Sequence, residues 1–177
     1  MGITAILVLF FGLAAGTSAT SCDICRSAYE QTASSSIATD EQKCIAAKEY
    51  IRCLVGTSGS GCDQRPSRLA TAVAEVQRVN GISGKTCQLT DSCLCETNFY
   101  RSDLSTRLKR CYASVVQNQC AIAASSTACD DTTTNTVYRV STSVTWVNTC
   151  KNTGSVTVQS TMTVAMATIL AALLRLV

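Results

Sequence analysis

Apolar residues recur every three or four positions in several stretches of this 177-residue chain, which is the period of an amphipathic helix. One such stretch, RPSRLATAVAEVQRVNG, ends at Gly81, and a glycine commonly stops a helix. We therefore predict a helix with a single apolar face in this stretch. The face comprises Leu69, Val73, Val76, and then Val79 or Asn80.

Two further stretches predict helices that each contain a pair of cysteines. The stretch TDEQKCIAAKEYIRCLVG begins with Thr39, has Gln42 three residues later as in a capping box, and ends at Gly56. The stretch SDLSTRLKRCYASVVQNQC predicts a helix capped by Ser102 or Asp103. Its expected apolar stripe is Leu104, Leu108, Cys111 and Val115.

The stretch TTTNTVYRVSTSVTWVNTC carries two opposing signals. Its threonine and valine content favours a strand, whereas its valines are spaced three, four and three residues apart, as on a helix. The matching stretch in the first half of the chain predicts a helix, so we predict a helix here, with a strand as the alternative. The valines are Val137, Val140, Val144 and Val147.

The beginning of the chain predicts export. Residues 3–15 are apolar and are followed by small residues up to Thr20, as in a secretory signal. A helix of thirteen residues spans about 20 Å, which is too short for a bilayer core of about 30 Å. We predict that residues 1–19 are a signal peptide, cleaved between Ala19 and Thr20.

The end of the chain predicts a glycosylphosphatidylinositol (GPI) lipid anchor. Small residues at 152–154 precede an uncharged spacer at 155–161 and an apolar tail at 162–177. The rival interpretation is a transmembrane helix, but the tail is short and is interrupted by Arg175. We predict attachment at Asn152, with Gly154 and Ser155 as alternatives, and removal of residues 153–177. The expected location is the extracellular face of the plasma membrane.

Twelve cysteines lie between the two ends, and a dense, even count in an exported chain predicts six disulfides. The steps between them are 3, 19, 9, 9, 25 in the first six and 2, 16, 9, 9, 21 in the second six. This likeness predicts a tandem duplication, with repeats at 20–87 and 93–152 and a junction at 88–92. The cysteines are Cys22, Cys25, Cys44, Cys53, Cys62, Cys87, Cys93, Cys95, Cys111, Cys120, Cys129 and Cys150.

The nine-residue step explains how each repeat would be fastened. Nine residues turn a helix through about 900°, so Cys44 and Cys53 lie on opposite faces and cannot pair with each other. The same holds for Cys111 and Cys120, and each central helix should be bridged to a neighbour on either side. Six cysteines allow fifteen pairings, and only the close pairs and these helix pairs are excluded. We predict an all-α fold of two small disulfide-stapled repeats.

Composition argues against several chemistries. There is no histidine, which removes the usual base of a serine or cysteine nucleophile and weakens metal binding, so we expect no enzyme activity, metal or cofactor. Basic and acidic residues are interspersed, with a net charge of +3, and this pattern gives no nucleic-acid footprint. The acidic pair Asp130–Asp131 fits helix capping better than glycoside hydrolysis, and GTSGSG fits a flexible turn.

One basic cluster remains a candidate contact site. Arg107, Lys109 and Arg110 are expected either to form a solvated helix face or to bind acidic glycans or lipid headgroups. Trp146 is expected to be a core residue.

The general plan is similar to that of the glial-factor co-receptors, which are tandem, all-α and GPI-anchored. No specific motif is shared beyond that plan, so the resemblance assigns no role to any residue. The expected function is a binding, recognition or co-receptor module that contacts an extracellular protein or glycan. The alternatives are a protease-resistant coat protein and a carrier of a small apolar ligand.

Overall fold

The computed structural model describes residues 21–151, and within them it contains six α-helices and no strand. The predicted all-α class is confirmed. The proposed signal peptide, Asn152 and the apolar tail lie outside the described residues. The helices are α1 (Cys22–Ala33), α2 (Asp40–Gly56), α3 (Arg65–Asn80), α4 (Asp91–Arg101), α5 (Arg107–Ala123) and α6 (Asn135–Cys150), with a 3-10 turn at Cys62–Gln64 before α3.

The start of α2 is a capping box, as the sequence predicts. The Thr39 hydroxyl accepts the Gln42 backbone N–H at 3.2 Å, and the Gln42 side chain accepts the Thr39 backbone N–H at 2.8 Å. Two of the backbone donors that a helix start leaves unpaired are thereby satisfied. The helix ends at Gly56, also as predicted.

The predicted start of α5 is wrong. The Asp103 carboxylate accepts the Ser105 backbone N–H at 2.9 Å, which turns the chain before the helix begins. Thr106 caps α5 instead, accepting the Lys109 backbone N–H at 3.2 Å. Leu104 therefore precedes the helix, and Leu108 is 58% exposed, so only Cys111 of the predicted stripe is buried. The buried residues of α5 are Cys111, Ala113, Ser114, Asn118 and Ala121.

Helix α3 buries the predicted stripe. Leu69 is fully buried, and the open choice at the end of the stripe falls on Val79, which is buried while Asn80 is exposed. Val73 and Val76 lie between them in the same core. The core that this stripe joins also contains the fully buried Ile51 and Leu54 of α2, together with Ala47, Tyr50 and Ala72.

The helix predicted over the valines is confirmed as α6, but the valines do not face the core. Their exposed fractions are between 54% and 60%, whereas Tyr138 and Thr142 on the other side are buried. The buried side bonds to α5, where the Asn118 side-chain oxygen accepts hydrogen bonds from the hydroxyls of Thr142 at 3.2 Å and Ser143 at 2.8 Å. Polar pairing thus decides which side of α6 is inside.

All twelve cysteines lie in the described residues, and none of them is free. The central-helix prediction is confirmed, since Cys53 is bridged to α1 and Cys44 to the segment after α3. In both sets of six the first cysteine pairs with the fifth, the second with the fourth and the third with the sixth. The bridges are Cys22–Cys62, Cys25–Cys53, Cys44–Cys87, Cys93–Cys129, Cys95–Cys120 and Cys111–Cys150.

The two cysteine-rich segments, Cys22–Cys87 and Cys93–Cys150, have different interiors. The first segment packs large aliphatic side chains and a Tyr29–Tyr50 stack with ring centroids 4.6 Å apart. The second segment is filled largely by small and polar residues, with Tyr138 as its one large side chain in the smaller core cluster of the described part. Other buried residues of the second segment include Ser92, Thr97, Ser114, Ala121, Ala124 and Ala128. The second segment therefore depends more on its bridges and hydrogen bonds.

The GTSGSG stretch is a turn, as predicted, between α2 and the 3-10 turn. Gly59 and Gly61 have positive φ values of 114° and 72°, which favour glycine. A Cβ atom on Gly61 would also collide with the Asp23 carboxylate. Both conditions favour glycine at position 61.

Candidate functional site

The two segments are docked against each other through Arg52 of α2. Its guanidinium donates to the Asp130 carbonyl and lies 3.4 Å from the Asp131 carboxylate, so one side chain holds the loop before α6. The Arg52 side chain is 35% exposed, so this contact is partly shielded from solvent. Asp131 has a φ of 56°, a value uncommon outside glycine, which presents this loop to Arg52.

A second docking contact lies between α3 and α4. The Arg65 guanidinium carbon is 4.5 Å from the centroid of the Tyr100 ring, within the range of a cation–π contact. Cys93 and Cys129 of the second segment are part of the core cluster of the first segment. A small cleft of about 160 Å³ lies at the Arg52 contact, lined by Ile45, Lys48, Glu49, Arg52, Leu89, Thr90, Cys93, Cys129 and Asp131.

We expect Arg52→Ala to lower the free energy of unfolding by about 1–2 kcal/mol, because a charge-assisted hydrogen bond is worth about 1.5–3 kcal/mol and this one is partly exposed. Urea unfolding measures the loss, and limited proteolysis of residues 88–91 reports separation of the segments. Arg26→Ala is the matched control, because Arg26 pairs only with Glu30 on the same helix face among its described contacts. Equal effects of the two changes would contradict the docking role.

In the described part of the chain, α5 and α6 each expose four large apolar side chains, and only on α6 are all four more than half exposed. We define the valine stripe as Val137, Val140, Val144 and Val147, all more than half exposed. Beside it, Ile122 of α5 and Arg139, Val140 and Val144 of α6 line an open cleft of about 490 Å³. The exposed apolar residues of the neighbouring helix α5 are Leu108, Tyr112, Val116 and Ile122, with Tyr112 at 72%. Apolar surface of this kind is a usual feature of contact sites.

The basic cluster lies at the same end of the second segment as the C-terminus of α6. Arg107 donates to the Thr149 carbonyl at 3.4 Å, and Arg110 donates to the Leu104 carbonyl at 3.1 Å. Lys109 is ion-paired with Asp103 and holds the pKa of that carboxyl well below its usual range. All three cations are exposed. Among the ion pairs of the described residues, Lys109 has a carboxylate partner, whereas Arg107 and Arg110 have none. Their charge sits in the first turn of α5, at its positive end, where cations are disfavoured.

The acidic pair has a structural role. The Asp130 carboxylate accepts the backbone N–H groups of Thr132 and Thr133 and the Thr133 hydroxyl, which lowers its pKa to about 2. It caps the turn that precedes α6, whereas the N-cap of α6 itself is Thr134. The capping interpretation therefore holds for the turn and not for the helix.

One carboxylate is partly buried in the second segment. Glu96 accepts the Cys129 backbone N–H at 2.8 Å, and burial raises its pKa.

Trp146, expected in the core, is half-buried. Within residues 21–151, no group of three acidic or cysteine side chains is placed to hold a metal ion. Across the same range, every helix is too short or too polar to span a bilayer.

Sequence reasoning missed the docking residues Arg52, Arg65 and Tyr100. Each lies on a helix with ordinary polar and aromatic neighbours, and no local pattern marks a contact to a residue 35 or more positions away. It also missed the solvent-facing side of α6.

Comparisons with protein-family models, with curated protein sequences and with solved structures find no match to this chain.

Proposed function

We propose that this chain is a GPI-anchored extracellular binding module built from two tandem disulfide-stapled repeats. A secretory signal at residues 1–19 and an attachment signal ending the chain would deliver it to the outer face of the plasma membrane. A GPI anchor has no cytoplasmic part, so any signal would pass through a second protein.

The repeat assignment is supported by the disulfide order. Both segments pair their cysteines first with fifth, second with fourth and third with sixth, which is one of fifteen arrangements for each set. Each segment also contains three α-helices, with the central one bridged on two sides. A duplicated module accounts for both facts.

The valine stripe is the observation that carries the binding proposal. The four valines are 54–60% exposed, and the contact of their apolar surface with water is unfavourable. Polar residues could replace them without loss of core packing. A coat protein that only resists proteolysis has no need of them. A carrier would need an enclosed apolar cavity, whereas the cleft at the valine stripe is open to solvent and the cleft between the segments is lined partly by charged residues.

Release from intact cells tests the proposal. Cells that express the full chain are treated with a phosphatidylinositol-specific phospholipase, and we expect the protein to leave the membrane. The released protein is then used to capture partners, in parallel with a variant carrying Val140→Lys and Val144→Lys. Both valines are exposed, so this variant should fold, and we expect it to lose capture.

Ile37→Lys is the matched control, because Ile37 is 90% exposed in the loop between α1 and α2. It should be captured as well as the unaltered protein. Retention on the membrane after phospholipase treatment would show that the anchor assignment is wrong. Release without any saturable partner would favour the coat interpretation instead.

A further inference from the structure

The valine stripe has no covering element among the residues that the structure describes. Helix α6 packs on α5 through the side that carries Tyr138 and Thr142. With about 100° per residue, the stripe lies on the opposite side of α6. Its four members are each more than half exposed, and Val140 and Val144 also line the cleft shared with Ile122 of α5.

The spacing of the stripe is that of a coiled-coil seam. Steps of three, four and three residues place Val137 and Val144 at the first core position of two successive heptads. Val140 and Val147 then occupy the second core position. Such a seam is self-complementary, since an identical helix presents the same spacing of knobs and holes.

The positions that flank the stripe would not oppose pairing with an identical helix. In a heptad seam the flanking charges select the partner and its orientation. Here the flanking residues are uncharged, and Arg139, the one charged residue of α6, lines the cleft shared with α5. The flanking residues are Thr136, Ser141, Ser143 and Asn148.

We propose that the valine stripe pairs with the valine stripe of a second copy of this chain, in a parallel seam on one membrane. The inference deepens the proposed function and rests on it for the orientation. Helix α6 ends at Cys150, two residues before the proposed lipid attachment at Asn152, so a parallel seam places both lipids on the same bilayer.

The size of the seam sets its strength. A 16-residue helix is about 24 Å long. Four layers of valine along it bury less surface than the about 800 Å² per partner of a standard stable interface. The pair should therefore be weak in dilute solution. It should form when anchoring in one membrane raises the effective concentration of the copies.

Photochemical cross-linking on intact cells tests the pairing with the full chain. A benzophenone amino acid replaces Asn148, which is exposed beside the C-terminal end of the stripe. Irradiation should give a product of twice the mass of the chain, with the link mapped by mass spectrometry to the last turn of the partner's α6. Val140→Lys with Val144→Lys should reduce the linked fraction at least about tenfold, because like charges face each other across the seam.

Ile37→Lys should leave the linked fraction unchanged, and the lysine variants should retain six disulfides and no free thiol, which shows that they are folded. Cross-links to another protein, to lipid alone or to nothing would overturn the proposal, as would a link to the first turn of α6. An undiminished product in the lysine variant would do the same. Phospholipase treatment afterwards separates the two proposals, since linked pairs that stay on the membrane contradict the anchor and leave the pairing intact.

Discussion

Replacing Cys111 and Cys150 with alanine should lower the free energy of unfolding by about 4 kcal/mol and release α6 from the second segment. The loop-closure model gives this magnitude for a bridge that spans 39 residues. The release of α6 follows from its packing, because α6 buries only Tyr138 and Thr142 among its sixteen residues. Urea unfolding measures the first effect, and hydrogen exchange across residues 135–150 measures the second.

The equivalent bridge of the first segment supplies the control. Cys44 and Cys87 are 43 residues apart, so replacing both with alanine removes a loop constraint of nearly the same size. Helix α3 nevertheless keeps Leu69 and its valines in the aliphatic core, and residues 65–80 should stay protected from exchange. Equal loss of protection in α3 and α6 would show that bridges, and not core packing, hold both helices.

Leu69→Ala should cost about 2–5 kcal/mol of unfolding free energy, because Leu69 is fully buried and the change leaves a cavity. Val76→Ala in the same helix removes two buried carbon atoms and should cost about 2 kcal/mol. Val144→Ala makes the same chemical change on α6, where the side chain is exposed, and should stay within about 0.5 kcal/mol. Urea unfolding of the three variants provides the comparison.

The Val76 and Val144 pair is the informative one, since residue type and helical setting are alike and only burial differs. Alanine is also the better helix former, so Val144→Ala could even raise stability by a few tenths of a kcal/mol. A large loss at Val144 would mean that the valine stripe is covered in the folded protein. It would then contradict both the described position of the stripe and its assignment as a binding surface.

The two segments have the same number of bridges but different interiors, so their third helices are held in place in different ways. The first segment has an aliphatic core that holds its third helix, α3, in place. The second holds its third helix with one bridge and with side-chain hydrogen bonds to α5, in which hydroxyls of α6 donate to Asn118 and Gln117 donates to the Tyr138 hydroxyl. A helix that contributes little to a core is free to present apolar side chains outward, and α6 does so with the valine stripe.

Helix positions could be predicted from the sequence where the signal is local. Thr39 and Gln42 lie three residues apart, so their capping box depends on no other part of the chain. The start of α5 is mispredicted because Asp103 and Thr106 are both good caps, and a turn at Ser105 decides between them. The apolar period of α6 correctly predicts a helix, but a period does not state which side is covered.

The sequence by itself determined the number of cysteines, their two matching sets of steps and the helical intervals that keep Cys44 from Cys53 and Cys111 from Cys120. These follow from bond geometry within single helices. Only the tertiary structure decided which of the remaining pairings forms, because a bridge requires two Cα atoms within about 7 Å and that distance depends on how helices pack. It also decided that the buried side of α6 is the polar one, since Asn118 on α5 supplies the hydrogen-bond partner that water would otherwise provide.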